Sequence, residues 1–246
     1  MRKKVVFMGA KEIGSRCLRA LLKAVKADAV EIVGVLTRPT KLDQGLSVGE
    51  LCDEYDLPRL ESLKEYLALS NVDIVISVQH DQILKKPHLE KPTDVAINLH
   101  MAPLPEYRGC NQFTFAILDE ANRFGTTIHV MEKSIDAGDI LFERRFQIPD
   151  DCWVEELYDR TVQESADLFA ETLPDLLQGD YTRTSQEELV AERGTNYHYR
   201  DEIEEVKQIE LSWDAERIQR HIRATDMPGF ESPYTIISGQ KVHFER

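Results

Sequence analysis

Four short runs rich in Val and Ile constrain this chain most: "KVVFMG" at 4–9, "VEIVGVLT" at 30–37, "VDIVISV" at 72–78 and "DVAINLH" at 94–100. Each has strand length, and each gap leaves room for a crossover. Residues 12–26 fill the first gap with Ile13, Cys17, Leu18, Leu21, Leu22 and Val25 at helical spacing. Apolar strands alternating with helices predict an α/β fold, a mainly parallel sheet covered on both faces. After Gly125 the pattern changes. "TTIHVMEK" (126–133) and "DILFERRFQI" (139–148) are joined by only a few residues, which predicts an antiparallel pair at the sheet edge. Residues 153–178 read as a helix, with Pro174 bending or ending its last turns. A polar stretch covers 179–208. A short helix is expected near 214–224, then a turn at Met227-Pro228-Gly229 and a hairpin "YTIISGQKVHF" turning at Ser238-Gly239. The expected organisation is a core over residues 1–180 and a small C-terminal subdomain over 181–246.

Composition narrows the class. At 42% apolar and 30% charged, the chain is neither disordered nor membrane-embedded. The basic start is followed too soon by Lys11 and Glu12 for a signal peptide, and no apolar run approaches spanning length. A soluble, intracellular, cytoplasmic protein is expected. Cys17, Cys52, Cys110 and Cys152 are far apart, so neither a zinc site nor a disulfide framework is indicated. A formal charge of -14 argues against broad binding to a nucleic-acid backbone, because that affinity comes from neutralising phosphates with Lys and Arg.

Three stretches can carry chemistry. In "GAKEIG" (9–14) Lys11 stands where a dinucleotide fingerprint needs its middle glycine, which disfavours a nicotinamide cofactor. Lys11, at the carboxyl end of the first strand, either meets an anionic substrate group or is a surface lysine at a helix start. In "DVAINLH" side chains alternate, so Ala96, Asn98 and His100 share one face while Val95, Ile97 and Leu99 take the other. The amide and the imidazole therefore project together at a strand tip, where they either pair structurally or face a cleft. The loop that follows, "MAPLPEYRG", is stiffened by Pro103 and Pro105 and sets the planar cation of Arg108 beside Gly109. The third stretch, "SIDAGDI" (134–140), holds Asp136 and Asp139 around Ala137-Gly138. It is either a plain hairpin turn or an acid brought beside His100 to orient it. A metal site from His100, His129, Asp136 and Asp139 lacks familiar ligand spacing, so no metal is expected.

The combination of "NLH", "PLPEYRG" and, 38 positions beyond the Asn, "IDAGDI" resembles the folate-dependent formyltransferase family over residues 1 to about 180. The resemblance implies a Rossmann-like fold, a catalytic triad at Asn98, His100 and Asp136, and 10-formyltetrahydrofolate as the one-carbon donor. It implies donor contacts from Gln82, Ile83 and Leu84 and from the turn carrying Asp136, Gly138 and Asp139, with Val78, Gln79 and His80 near the same cleft. The residue types suit the chemistry. An amine attacking a formyl carbon creates an oxyanion, which a carboxamide can hold without titrating, and a histidine can accept the amine proton.

The family contains glycinamide ribonucleotide, methionyl-tRNA and sugar N-formyltransferases. The length beyond the core and the wording "APLPEYRGCNQFTFAI" are most similar to the sugar enzymes. The expected partners are therefore a nucleotide-linked amino sugar and folate, with no nucleic acid and no membrane, and with homodimers common in the family. Lys11, Gln79, His80, Arg108, Asn111, Gln112 and Tyr197 are the expected acceptor contacts. Methionyl-tRNA and glycinamide ribonucleotide remain alternative acceptors, and a folate-binding module without turnover is the alternative of another class.

Overall fold

The Val- and Ile-rich runs lie side by side at the centre of a seven-stranded sheet in a computed structural model that describes residues 2–244. The chain begins β1 (Lys3–Gly9), α1 (Lys11–Lys26), β2 (Val30–Leu36), α2 (Val48–Glu54), β3 (Arg59–Leu60), α3 (Leu63–Ala68), β4 (Ile74–Val78), α4 (Lys86–Leu89) and β5 (Val95–His100). It continues through β6 (Tyr107–Gly109), α5 (Gln112–Leu118), β7 (Arg123–Val130), β8 (Ile140–Gln147) and α6 (Val154–Gln178). The sheet order is β3-β2-β1-β4-β5-β7-β8. Strands from β3 to β5 run parallel, and β7 and β8 are antiparallel to their neighbours.

Alternation along the strands divides the core. Val5, Phe7, Ile76, Ile97 and Leu99 pack with Leu18 and Leu21 of α1 and Leu168 and Phe169 of α6. The other face buries Val6, Met8, Val75 and Ala96 with Tyr66 and Leu84. At ~25 cal/mol per Å² of apolar surface, burial on both faces is what makes such uniformly apolar strands stable in this sheet. Asn98 and His100 continue the Ala96 row, so they emerge on that second face.

α6 runs through Pro174 and stops only at Gly179, which takes φ 76°. Of the two outcomes expected at Pro174, bending or ending, the helix does not end there. Proline removes one backbone bond, whereas Leu168, Phe169, Leu173 and Leu176 remain buried around it and hold the last turns in place.

Beyond α6 the chain returns to the core. Thr184 and Ile140 exchange both backbone hydrogen bonds at 2.9 Å. α7 (Gln186–Arg193) follows, then β9 (Asn196–His198), which pairs in parallel with β6. α8 (Glu202–Lys207), α9 (Ala215–Thr225) and the hairpin of β10 (Tyr234–Ile237) and β11 (Gln240–His243) complete the described chain. Ser238 and Gly239 turn that hairpin with φ 51° and 80°. Among the described residues no helix is long and apolar enough to cross a membrane.

Candidate active site

The tip of β5 is held from three sides. Asn98 pairs across the sheet with His129, and His100 with Thr127. Thr126 Oγ1 donates to the His100 carbonyl at 3.0 Å. Thr127 Oγ1 donates to the Ala102 carbonyl at 2.9 Å and accepts from the Leu104 N–H at 3.3 Å. The proline loop is therefore a buried, hydrogen-bonded strap, with Met101, Ala102 and Leu104 at zero exposure. Arg145 ties its far side through Glu106 at 2.5 Å.

These constraints fix the His100 ring. Nε2 lies 2.7 Å from the Tyr107 carbonyl, which can only accept, so Nε2 carries the proton of the neutral ring. The lone pair is therefore on Nδ1. Oδ2 of Asp136 lies 3.7 Å from Nδ1, too long for a direct hydrogen bond but close enough to pair once the ring takes a second proton.

Asp136 reaches this position through a strained turn. It adopts φ 52°, unusual without glycine, and its Oδ2 accepts from the Gly109 N–H at 3.0 Å. Burial pushes its carboxyl up, but the imidazoles of His100 and His129 and the Gly109 amide outweigh burial and hold it well below the usual carboxylate range. It stays ionised. A Cβ on Gly138 would stand 2.0 Å from the Val130 carbonyl, so only glycine lets this turn close onto β7.

Two residues in this site lie outside the expected catalytic, donor and acceptor contacts, His129 having figured only in the disfavoured metal set. His129, 2% exposed, lies opposite Asn98. Its Nδ1 is 2.9 Å from the Val130 carbonyl and must be the donor there. Its Nε2 is 3.3 Å from Asn98 Nδ2 and 3.5 Å from Asp136 Oδ1, and it cannot accept from one while donating to the other. The shorter contact is the one a neutral ring makes. It assigns the nitrogen end of the Asn98 carboxamide and leaves the second amide N–H for a ligand.

Gln186, also 2% exposed, is the other. Its Nε2 donates to the carbonyls of Asp136 (2.9 Å) and Gly138 (2.7 Å), and its Oε1 accepts from Arg108 Nε and Nη2. One amide thus locks the acidic turn to the β6 strap. Replacing Gln186 with Leu is expected to strand these buried partners, at about 1–3 kcal/mol per unsatisfied group. The urea midpoint should fall and kcat should drop with it. An unchanged midpoint with unchanged turnover would remove Gln186 from the account.

The expected acceptor and donor contacts are placed unevenly. Arg108 turns its guanidinium onto Gln186, and Asn111 donates to the carbonyls of Tyr199 (2.8 Å) and Arg200 (3.2 Å), so both brace the tail. Gln112 is buried at the first position of α5. Tyr197 is 39% exposed and edge-on to Tyr199 at 4.9 Å. Burial, then the charge of Asp136, pushes its phenol up. Beyond β4, Gln82 and Ile83 are exposed while Leu84 anchors the loop in the core at 6% exposure. Asp139 gives its carbonyl to the Val130 N–H at 2.9 Å. Lys11 (φ 59°), Gln79 (56°), Asn111 (58°) and Asp136 (52°) all take left-handed backbone at the carboxyl-terminal rim of the sheet or on the loops above it, the kind of strain that gathers at functional sites.

A cavity of about 600 Å³ lies behind the proline loop, lined in part by Glu106, Tyr107, Arg123, Glu143 and Arg145. None of Asn98, His100 and Asp136 lines it. Its Arg145 is consumed by Glu106 at 2.5 Å and Glu143 at 3.1 Å. The candidate catalytic side chains gather instead at the β5 tip, where His100 and Asp136 keep 8% and 10% exposure.

Known proteins resemble this chain in sequence and in fold. The methionyl-tRNA formyltransferase of Bacillus cytotoxicus is 32% identical over 255 residues, covering 97% of this chain and 77% of that protein. Among solved structures, the Helicobacter canadensis N-formyltransferase crystallised with folinic acid and dTDP-3-aminofucose superposes with a TM-score of 0.79 at 22% identity, covering 98% of this chain and 86% of the other. A 4-N formyltransferase from Francisella tularensis gives 0.76 at 19%, covering 99% and 98%. The formyl transferase family profile matches residues 3–173, the span that holds β1 through most of α6 with Asn98, His100, His129 and Asp136, but not Gln186 or Tyr197. On that match, and on a relative that aligns with 97% of this chain at 32% identity, the chain belongs to the formyl transferase family.

Proposed function

We propose that this protein transfers a formyl group from 10-formyltetrahydrofolate to the amine of a nucleotide-linked amino sugar. The observation that carries the reading is the convergence of the Asn98 amide N–H, the free Nδ1 of His100 and an ionised Asp136 at one strand tip. The amine nitrogen attacks the formyl carbon, and the carbonyl π electrons move onto oxygen, where Asn98 donates a hydrogen bond. Nδ1 of His100 takes the amine proton, and Asp136 pairs with the imidazolium. Collapse of the oxyanion breaks the bond to N10 of the folate, which receives that proton and leaves as tetrahydrofolate. Gln82, Ile83 and the 136–139 turn border the donor, and the tail from Tyr197 borders the acceptor.

The sugar reading is supported by whole-length superposition on N-formyltransferases, one of them crystallised with an amino-sugar nucleotide. It is also supported by the acidic balance of -14, which repels a polyanion. Sequence identity to methionyl-tRNA formyltransferases favours a second acceptor, methionyl-tRNA. Tetrahydrofolate release in the presence of a panel of nucleotide-linked amino sugars tests the choice. Turnover on a sugar supports the proposal. Turnover on methionyl-tRNA with silence across the sugars transfers the assignment to the second reading.

A further inference from the structure

β6 is three residues long, yet His100 and Asp136 both lean on it. Its first residue, Tyr107, offers the carbonyl that fixes His100 Nε2 at 2.7 Å, and its last, Gly109, offers the N–H that fixes Asp136 Oδ2 at 3.0 Å. Where β6 sits, the imidazole and the carboxylate follow. β6 belongs to a sheet of two strands whose other member is β9 of the tail. Tyr107 is in register with Asn196, Arg108 with Tyr197 and Gly109 with His198. The two backbones press together at the Gly109 end, where an added Cβ would stand 2.3 Å from the His198 carbonyl. That carbonyl accepts from the Cys110 N–H at 2.9 Å, and the Asn196 N–H donates to the Glu106 carbonyl at 3.0 Å.

So short a pair does not hold itself in place, because two isolated strands are marginal in water. Asn196 and Tyr197 are exposed, and of the three residues of β9 only His198 turns inward. Its ring lies parallel to that of Phe115 on α5, with centroids 3.6 Å apart and planes inclined by 6°. Phe115 packs in turn on the buried cluster that holds Tyr107, Phe124 and Phe146. Nδ1 of His198 meets Glu202 Oε2 at 2.8 Å, and Glu202 Oε1 accepts from the Tyr199 N–H at 2.8 Å. The Tyr199 N–H first, then the His198 imidazole, holds the Glu202 carboxyl below its usual range. The carboxylate can only accept, so Nδ1 is the donor. Among the described residues Nε2 is buried without a partner, so a histidine is kept here by its flat face and its Nδ1–H together.

We infer that His198 is a positioning residue for formyl transfer: its ring keys β9 between α5 and α8, and β9 seats β6 where the Tyr107 carbonyl meets His100 and the Gly109 N–H meets Asp136. The action runs through the backbone of β6. The inference rests on the catalytic roles proposed above and adds which residue of the tail maintains them.

His198→Leu keeps much of the side-chain volume but gives up the flat face and the donor. The bonds from Asn111 to the Tyr199 and Arg200 carbonyls keep the segment attached in this variant. Amide hydrogen exchange read by NMR should quicken about tenfold at Gly109 and Cys110, the loss of about one hydrogen bond's worth of protection. Amides of β1 and β4 should exchange at wild-type rates. kcat with 10-formyltetrahydrofolate and the best acceptor among nucleotide-linked amino sugars and methionyl-tRNA should fall about tenfold or more, since a 1 Å misplacement can cost about 10²-fold. KM for the folate donor should stay at its wild-type value. In an Asp136→Asn background the same substitution should cost less than in the native enzyme, because the charge that the Gly109 N–H holds is already gone. His198→Phe keeps the stack on Phe115 and should retain most of the protection and most of kcat. Unchanged exchange in His198→Leu, or faster exchange with undiminished kcat, would overturn the inference. So would an equal loss in both backgrounds, or a loss in His198→Phe as deep as in His198→Leu. Wild-type protein that passes a formyl group to none of the offered amines overturns the proposed function, and the inference with it.

Discussion

Alanine at His100 is expected to lower kcat by about 10²–10⁴-fold, the usual worth of a positioned general base. Nδ1 is the ring atom left free, because Nε2 is committed to the Tyr107 carbonyl. Alanine also strands that carbonyl, so a fall in stability of about 1–3 kcal/mol is expected alongside. His100→Gln separates the two effects. Its amide nitrogen can reach the Tyr107 carbonyl and restore the fold, but it offers no base. Near wild-type urea stability with turnover still depressed places the loss in proton transfer. Recovery of full turnover in the glutamine variant would show that the ring acts only as a strut.

The second large effect is expected at Asn98. Removing an oxyanion donor typically costs about 10²–10³ in kcat, and Asn98→Ala should fall in that range with KM for the folate donor little changed. His129→Leu tests how the amide is aimed. If His129 acts by accepting from Asn98 Nδ2, its replacement should slow the native enzyme but add little to Asn98→Ala, because the group it orients is already gone. Strict additivity of the two losses would show that His129 works independently, for instance through Asp136, whose Oδ1 it faces at 3.5 Å.

The central strands were legible because their chemistry repeats with a plain period. β1, β2, β4 and β5 are apolar on both faces, and each was bounded to within two residues at either end. Alternation along β5 also placed Asn98 and His100 on one face. The acidic turn at Asp136 was legible only through its company, since an Asp-Ala-Gly stretch alone reads as a hairpin. What escaped was structure that depends on partners distant in sequence. β3, β6 and β9 span two or three residues and exist because a neighbouring strand offers its edge. Gln186 lies in a polar stretch with no pattern, and only the return of the chain after α6 brings it under Asp136. His129 became informative once register set it opposite Asn98. The left-handed backbones of Lys11, Gln79, Asn111 and Asp136 leave no trace in composition, because none is glycine.

A crystal structure with folinic acid and an unformylated amino-sugar nucleotide bound together measures the central geometry directly. The acceptor nitrogen should lie within hydrogen-bonding distance of His100 Nδ1, with the donor's formyl group beside Asn98 Nδ2 and the carboxylate of Asp136 on the same, Nδ1 side of the imidazole. An acceptor amine held beyond reach of Nδ1, or a formyl group bound away from the tip of β5, would contradict the account.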